Sequence, residues 1–239
     1  MRIIVSLFVA AAAIASANAA EFTLAAGAGF RRPLAELVAA HEKASGDRIT
    51  QVYGHLGQVI AQARESGTIS MVCGDRVVLE AAPGLSFSSQ ARLGLGRLVV
   101  AYRKGIALRD ARDLASPQFE RIGIPDQVNA MYGKAGRQFL DRAGLAQRID
   151  PKLLPVATVP QVTSYVASGE IDAGFVNATD AIGAGANIGG YVEVDPKLYD
   201  PVEVVCGVLP GASRSGAVQG FATWLGSDEA RTILRRHGL

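Results

Sequence analysis

The sequence predicts an α/β protein with two lobes, and three observations lead to that class. Short apolar runs typical of buried strands alternate with stretches whose apolar residues recur at helical spacing. Glycine accounts for 27 of the 239 residues and stands at many junctions between the two patterns. Two longer apolar runs, 98–102 and 202–209, bracket a middle block that repeats the alternation. The alternation predicts sheets covered by helices on both faces, and the bracketing runs predict two lobes joined by two crossings of the chain.

The first lobe begins with three units of strand, turn and helix. The strand 22–26 runs into Gly27-Ala28-Gly29, and Pro33 suits the first turn of the helix that follows. That helix continues at helical spacing to about Ser45, and Gly46 ends it. The remaining elements of this part are predicted as a strand at 49–53, a helix at 58–65, a strand at 69–73 and a short helix at 76–82.

The middle block and the tail continue the same pattern. Strands are predicted at 98–102, 121–125, 154–157, 173–176 and 191–194. Helices are predicted at 132–143, at 160–168 and from Thr179 onward. The run 202–209 returns the chain to the first lobe as a strand, and 215–236 is predicted to be helical with a break near Gly226.

The N-terminal segment 1–19 is predicted to be a secretory signal peptide. Arg2 precedes an apolar run at 3–15, and small residues at Ala17-Asn18-Ala19 match a signal peptidase site, with cleavage after Ala19 or Ala20. An N-terminal membrane anchor is the alternative, but the run is short for a bilayer core of about 30 Å. We therefore expect an exported, soluble protein in the periplasm.

Composition and motifs argue against several classes of function. The formal net charge is only +2, which does not favour a nucleic-acid partner. The sequence has no GxSxG, HExxH, Walker A or GxGxxG motif, and its three histidines are far apart, so neither catalysis nor a metal site is indicated. His55 alone lies in a predicted cleft loop.

Cys73 and Cys206 form no CxxC motif, and the sequence leaves open whether they are bridged or are two buried thiols.

The predicted topology places a ligand site between the lobes. Ligands of open α/β sheets bind at the carboxyl ends of the strands. The loops that reach this cleft follow residues 26, 53, 125, 157 and 176. Several of these loops lead into a helix, whose free N–H groups and dipole favour an anion.

Several segments of the chain resemble the molybdate-binding proteins of bacterial ABC importers, a class of periplasmic solute-binding proteins. These segments are 25–30 (AAGAGF) with 33–37 (PLAEL), 131–135 (MYGKA), 159–162 (VPQV), the tail 230–239 and, most specifically, 166–176 (VASGEIDAGFV). The resemblance implies a two-lobed type II periplasmic-binding-protein fold with two mixed sheets flanked by helices and a ligand cleft between the lobes. It places lobe 1 at 20–98 and 202–239, and lobe 2 at 99–201.

The resemblance also implies which positions contact the ligand. The family's first two loop serines fall on Gly29 and Gly57, with Gln58 adjacent, and its backbone donors fall near Ala130 and on Val159. Asn177 stands where the family often has tyrosine. Glycine provides no hydroxyl donor, so either Gln58, Asn177, Thr158 or a water supplies the missing donor, or the ligand is larger or less charged and the two glycines enlarge the pocket. We also expect weaker molybdate binding than a serine-bearing site would give, and a gain in affinity from serine at Gly29 and at Gly57.

The same resemblance implies a function and a disulfide. In this fold the returning strand lies beside the third strand, which would bring Cys206 next to Cys73. The implied function is capture of a small anion, a molybdate- or tungstate-like oxyanion, and delivery to an ABC transporter permease, by a monomer without cofactor or enzymatic activity. Three alternatives stand beside it: a binding protein for a different or larger solute, a ligand sensor, and an exported enzyme that uses His55 and Asp180.

Overall fold

A computed structural model of the chain describes residues 19–239. The predicted signal peptide, apart from Ala19, lies outside the described residues. Within residues 19–239, no helix combines the length and the apolar character needed to cross a membrane.

Between residues 19 and 239, ten strands form two five-stranded sheets. In chain order they are β1 (Glu21–Gly27), β2 (Arg48–Gly54), β3 (Ile69–Asp75), β4 (Ser89–Gly96), β5 (Leu98–Tyr102), β6 (Ile122–Pro125), β7 (Leu153–Val156), β8 (Ala173–Asn177), β9 (Gly190–Glu193) and β10 (Val202–Val208). The first sheet has the order β2-β1-β3-β10-β4 and the second the order β7-β6-β8-β5-β9. In each sheet four strands run in the same direction, and one strand, β10 in the first sheet and β5 in the second, runs antiparallel to both of its neighbours, so both sheets are mixed as predicted.

Within the described residues, nine α-helices flank the sheets. They are α1 (Arg31–Ser45), α2 (Leu56–Glu65), α3 (Arg76–Glu80), α4 (Met131–Arg142), α5 (Ala146–Ile149), α6 (Val159–Ser168), α7 (Ala178–Ala184), α8 (Gly216–Trp224) and α9 (Asp228–Arg236). Local sequence signals set several ends. Gly46 and Gly169 end α1 and α6 with a φ of 80°, a conformation that glycine adopts without strain. Thr158 and Gln161 form a capping box that starts α6.

The chain crosses twice between the sheets, so each sheet is the centre of one lobe. Lobe 1 holds the sheet built from 21–96 and 202–208, and lobe 2 holds the sheet built from 98–193. Leu98 begins β5 and therefore belongs to lobe 2, one residue earlier than predicted. The predicted series of elements also lacked β4, which forms an edge of the first sheet.

A disulfide connects the two segments of lobe 1. Cys73 in β3 lies directly opposite Cys206 in β10, and their sulfur atoms are 2.00 Å apart. Both residues are fully buried. The bridge closes a loop with a sequence separation of 133 residues that includes all of lobe 2, which restricts the unfolded chain strongly.

Asp172 follows the end of α6 but does not face solvent. It is 5% exposed and accepts hydrogen bonds from the backbone N–H groups of Glu120 and Arg121, both at 2.9 Å. Arg103 binds its other oxygen at 2.9 Å. The carboxylate therefore joins the end of β5 to the starts of β6 and β8.

Candidate ligand-binding cleft

The lobes meet at a small cavity of about 20 Å³, which holds about one water molecule. Lobe 1 lines it through the loops after β1 and β2, with Gly27, Ala28, Gly29, Gly54, His55 and Leu56. Lobe 2 lines it through the loops before α4 and α6 and the first residues of these helices, with Ala130, Met131, Tyr132, Thr158 and Val159. The cavity therefore lies in the predicted cleft, at the carboxyl ends of the strands.

Three α-helices begin at this cavity. α2 starts at Leu56, α4 at Met131 and α6 at Val159, and all three residues line its wall. The first N–H groups of a helix have no acceptor within the helix. Those of Met131 and Val159 also donate to no other group among residues 19–239. Free N–H groups and the positive ends of the helix dipoles favour an anion here.

The described residues offer no evident metal centre. They contain no group of three or more histidine, cysteine, aspartate or glutamate side chains placed to hold a metal ion. A ligand in the cavity would thus meet mainly backbone N–H groups and apolar side chains.

The structure places the six predicted contact residues in different surroundings. Gly29, Ala130 and Val159 line the cavity. Gly57 lies at its rim, where its N–H donates across the cleft to the carbonyl oxygen of Asn129 at 3.4 Å. Gln58 is exposed, and its side chain lies over Gly54 outside the cavity lining. The ligand role of each residue remains a prediction.

Asn177, the sixth predicted residue, lies behind Gly29 and is fully buried. Its Nδ2 donates to the Gly29 carbonyl oxygen at 2.8 Å, and its Oδ1 accepts the Asp180 N–H at 3.0 Å, which caps α7. Both ends of the amide are therefore bonded to the protein, and one of these bonds crosses between the lobes.

The two glycines do not enlarge the cavity. A Cβ atom on Gly29 would lie 3.0 Å from Asn177 Nδ2 and 3.5 Å from the Cβ of Val159. A Cβ atom on Gly57 would lie 3.0 Å from Asn129 Oδ1. Asparagines of lobe 2 thus fill the space next to both glycines, and the expectation of a wider pocket is wrong for this conformation.

Tyr132 is a cavity residue that the predicted contact set did not include. It packs against Phe30 with ring centroids 6.0 Å apart, and it is 1% exposed. Burial raises the pKa of its hydroxyl well above the ordinary tyrosine value. Asn177 lies near enough to lower this pKa slightly, yet within the described part of the chain no group forms a hydrogen bond of good geometry with the hydroxyl. The only indication of this role in the sequence is that Tyr132 lies in the segment 131–135, which resembles the family.

His55 lines the cavity and caps a helix. Its Nδ1 accepts the N–H of Gln58 at 3.1 Å, at the start of α2. Asp126 faces it from lobe 2, and the pKa of Asp126 is lowered first by its hydrogen bonds to Asn129 and to a smaller extent by His55. Asp180 does not line the cavity; it is bonded instead to Thr163 and Arg32. The pair that an enzyme would use is therefore not brought together.

Two α/β lobes, crossed twice by the chain and enclosing a cleft where helices begin, define a two-lobed solute-binding protein. The family model for bacterial extracellular solute-binding proteins matches residues 22–239, so the chain belongs to this family.

Known relatives agree with this assignment. The chain is 26% identical over 243 residues to the molybdate-binding protein ModA of Azotobacter vinelandii, covering 99% of this chain and 96% of the relative. It is 25% identical over 230 residues to ModA of Rhodobacter capsulatus, covering 93% and 89%. The crystal structure of the Azotobacter vinelandii periplasmic molybdate-binding protein shares its fold, with a TM-score of 0.80, 23% identity, and coverage of 91% and 97%.

Proposed function

We propose that this protein captures a small tetrahedral oxyanion of the molybdate and tungstate type in the periplasm and delivers it to an ABC permease in the inner membrane. The observation that carries the proposal is the convergence of α2, α4 and α6 on one interlobe cavity. Helix N-termini supply oriented N–H donors and positive potential without a counter-charged side chain. The molybdate-binding relatives support the choice among anions.

Transport requires binding and lobe movement but no chemistry on the ligand. In this conformation the cavity has a volume of about 20 Å³, enough for about one water molecule, so a four-oxygen anion enters while the lobes are apart and holds them less tightly closed than they are here. The permease would then distinguish the closed form from the open form. The ligand leaves unchanged, and the protein acts as a monomeric carrier rather than as an enzyme.

The first experiment is a thermal-shift panel of molybdate, tungstate, sulfate, phosphate, phosphonates and small carboxylates. A ligand at 100 times its Kd should stabilise the protein by about 2.7 kcal/mol. Calorimetric titration then gives the affinity for each ligand that shifts the transition. The proposal fails if no oxyanion raises the melting temperature while an organic solute does.

A proline substitution tests the backbone donors directly. Val159→Pro removes one N–H at the first position of α6, where proline is tolerated, and Thr158 already has the extended backbone that proline requires of its neighbour. Loss of a hydrogen bond to a charged ligand should weaken molybdate binding about tenfold or more. Gly216→Pro at the first position of α8 is the matched control and should bind as the unaltered protein does.

A further inference from the structure

Asn177 makes a buried hydrogen bond between the lobes. The residue belongs to β8 of lobe 2, and its Nδ2 reaches the carbonyl oxygen of Gly29 in lobe 1 at 2.8 Å. Its Oδ1 is fixed by the N–H of Asp180 at 3.0 Å, so the amide has a set orientation. Because the side chain is fully buried, water does not compete for this bond while the lobes are together.

A second contact of similar form lies at the rim of the cleft. The N–H of Gly57 in lobe 1 donates to the Asn129 carbonyl oxygen in lobe 2 at 3.4 Å. Asn129 is itself held by Asp126, which accepts from its backbone N–H at 2.8 Å and from its Nδ2 at 3.0 Å. The absence of a side chain on Gly57 permits this approach, since a Cβ would lie 3.0 Å from Asn129 Oδ1.

Both contacts join the two lobes in this conformation. Gly29 and Gly57 follow β1 and β2, while Asn129 and Asn177 follow β6 and end β8, so rotation of one lobe away from the other separates each pair. The backbone N–H of Asp75 in lobe 1 adds a third contact, to the sulfur of Met131 in lobe 2 at 3.0 Å.

We propose that Asn177 is a positioning residue for closure: with the Gly57–Asn129 contact it forms a clasp that holds the lobes together before a ligand binds. The cavity of this closed form holds about one water molecule, so the clasp must open before a larger anion enters, and it thereby sets the fraction of the protein that is open to the ligand. The clasp is formed by the protein alone, so it does not depend on which ligand the cleft accepts.

Asn177→Ser is the variant that isolates this role. Serine is as good a helix cap as asparagine, so α7 keeps its start, but its hydroxyl is too short to reach Gly29. Asn177→Asp is the second variant, because it keeps the capping oxygen and places an acceptor against the Gly29 carbonyl. Asn187→Ala, an exposed asparagine beyond the end of α7, is the control.

The measurements are made without any ligand. Small-angle X-ray scattering compares each protein with the curve calculated from this closed structure, and hydrogen exchange follows the Gly57 amide, which belongs to the other contact. We expect the unaltered protein and Asn187→Ala to match the closed curve and to protect Gly57. In Asn177→Ser the closed-to-open ratio should fall about fivefold, with faster Gly57 exchange and a larger radius of gyration, as expected for one lost hydrogen bond. Asn177→Asp should lower the closed-to-open ratio by more than Asn177→Ser does.

Two results would overturn the clasp. One is an unaltered protein that is already expanded relative to the closed curve. The other is either Asn177 variant, shown to be folded by its melting transition, that keeps the closed scattering curve and Gly57 protection. Neither result depends on molybdate binding, so failure of the clasp is distinguishable from failure of the proposed function.

Discussion

At Gly29 and Gly57, the effect of a side chain depends on the asparagine that faces each glycine. Asn177 is fully buried, bonded at both ends and unable to move away from Gly29. Asn129 is exposed at the cleft rim, and its side chain can shift toward solvent at the cost of one hydrogen bond to Asp126. Two glycines that look equivalent in the sequence are therefore different sites physically, because only one has a neighbour that can yield.

Serine substitutions at Gly29 and Gly57 should therefore have different effects on stability and on binding. Gly29→Ser should destabilise the protein by about 1–3 kcal/mol through overpacking and weaken molybdate binding. Gly57→Ser should leave the melting temperature nearly unchanged and should bind molybdate at least as tightly as the unaltered protein, because it adds a hydroxyl donor at the rim. Thermal unfolding and calorimetric titration measure both effects. Equal behaviour of the two variants, or tighter binding by Gly29→Ser, would contradict the packing argument and restore the simpler sequence expectation.

Among helices and strands, the sequence predicted those whose positions are determined by a clear local pattern. Buried strands such as β8 and helices with clear end signals such as α1 were predicted within about three residues. β4, with the sequence SQARLGLG, was missed because it is an edge strand whose glycines and polar residues give no apolar run. The surroundings of the predicted contact residues were harder to predict from sequence. The positions of Gln58 and Asn177 depend on the directions of their side chains and on the packing of the lobes, and a local sequence pattern contains no information about either.

The burial of Asp172 could not be predicted from its neighbours in the sequence. It follows a helix end, where carboxylates usually face solvent, but the strands bring three donors around it. Burial alone would raise the pKa of Asp172; the N–H groups of Glu120 and Arg121 and the Arg103 guanidinium outweigh burial and hold the pKa below its usual value.

That lowered pKa predicts an acid-dependent stability. Because the folded pKa is depressed, the contribution is present above the unfolded aspartate value of about 3.9 and is lost as the pH falls through the folded pKa. Asp172→Asn should lower the free energy of unfolding by about 1–3 kcal/mol at pH 7. The difference from the unaltered protein should shrink below pH 4. Urea unfolding between pH 7 and pH 2.5 measures it, with the exposed Asp228→Asn as control; a gap that stays constant with pH would rule the explanation out.

For the whole molecule, contacts beside the crossings help to set how the two lobes meet. Gly96 ends β4 immediately before the first crossing, and Tyr132 of lobe 2 lies against it. A Cβ on Gly96 would overlap the tyrosine hydroxyl and lie 3.2 Å from its Cζ. Since Tyr132 also lines the cavity and packs on Phe30, its position links the crossing to the cleft.

Gly96→Ala should therefore act on both stability and closure. The added methyl group pushes a fully buried ring, which should cost about 1–3 kcal/mol in the free energy of unfolding and reduce molybdate affinity. Tyr132→Phe alone should be nearly neutral for stability, because the hydroxyl lacks a well-formed hydrogen bond to any described residue. In the double variant the smaller ring should recover part of the loss, so the two changes are non-additive.

Denaturant unfolding of the two single variants and the double variant gives the coupling energy, and Gly220→Ala, where a Cβ meets nothing within 4 Å, is the control. Additive effects would mean that Gly96 and Tyr132 act independently, and that the crossing does not sense the cleft through this ring.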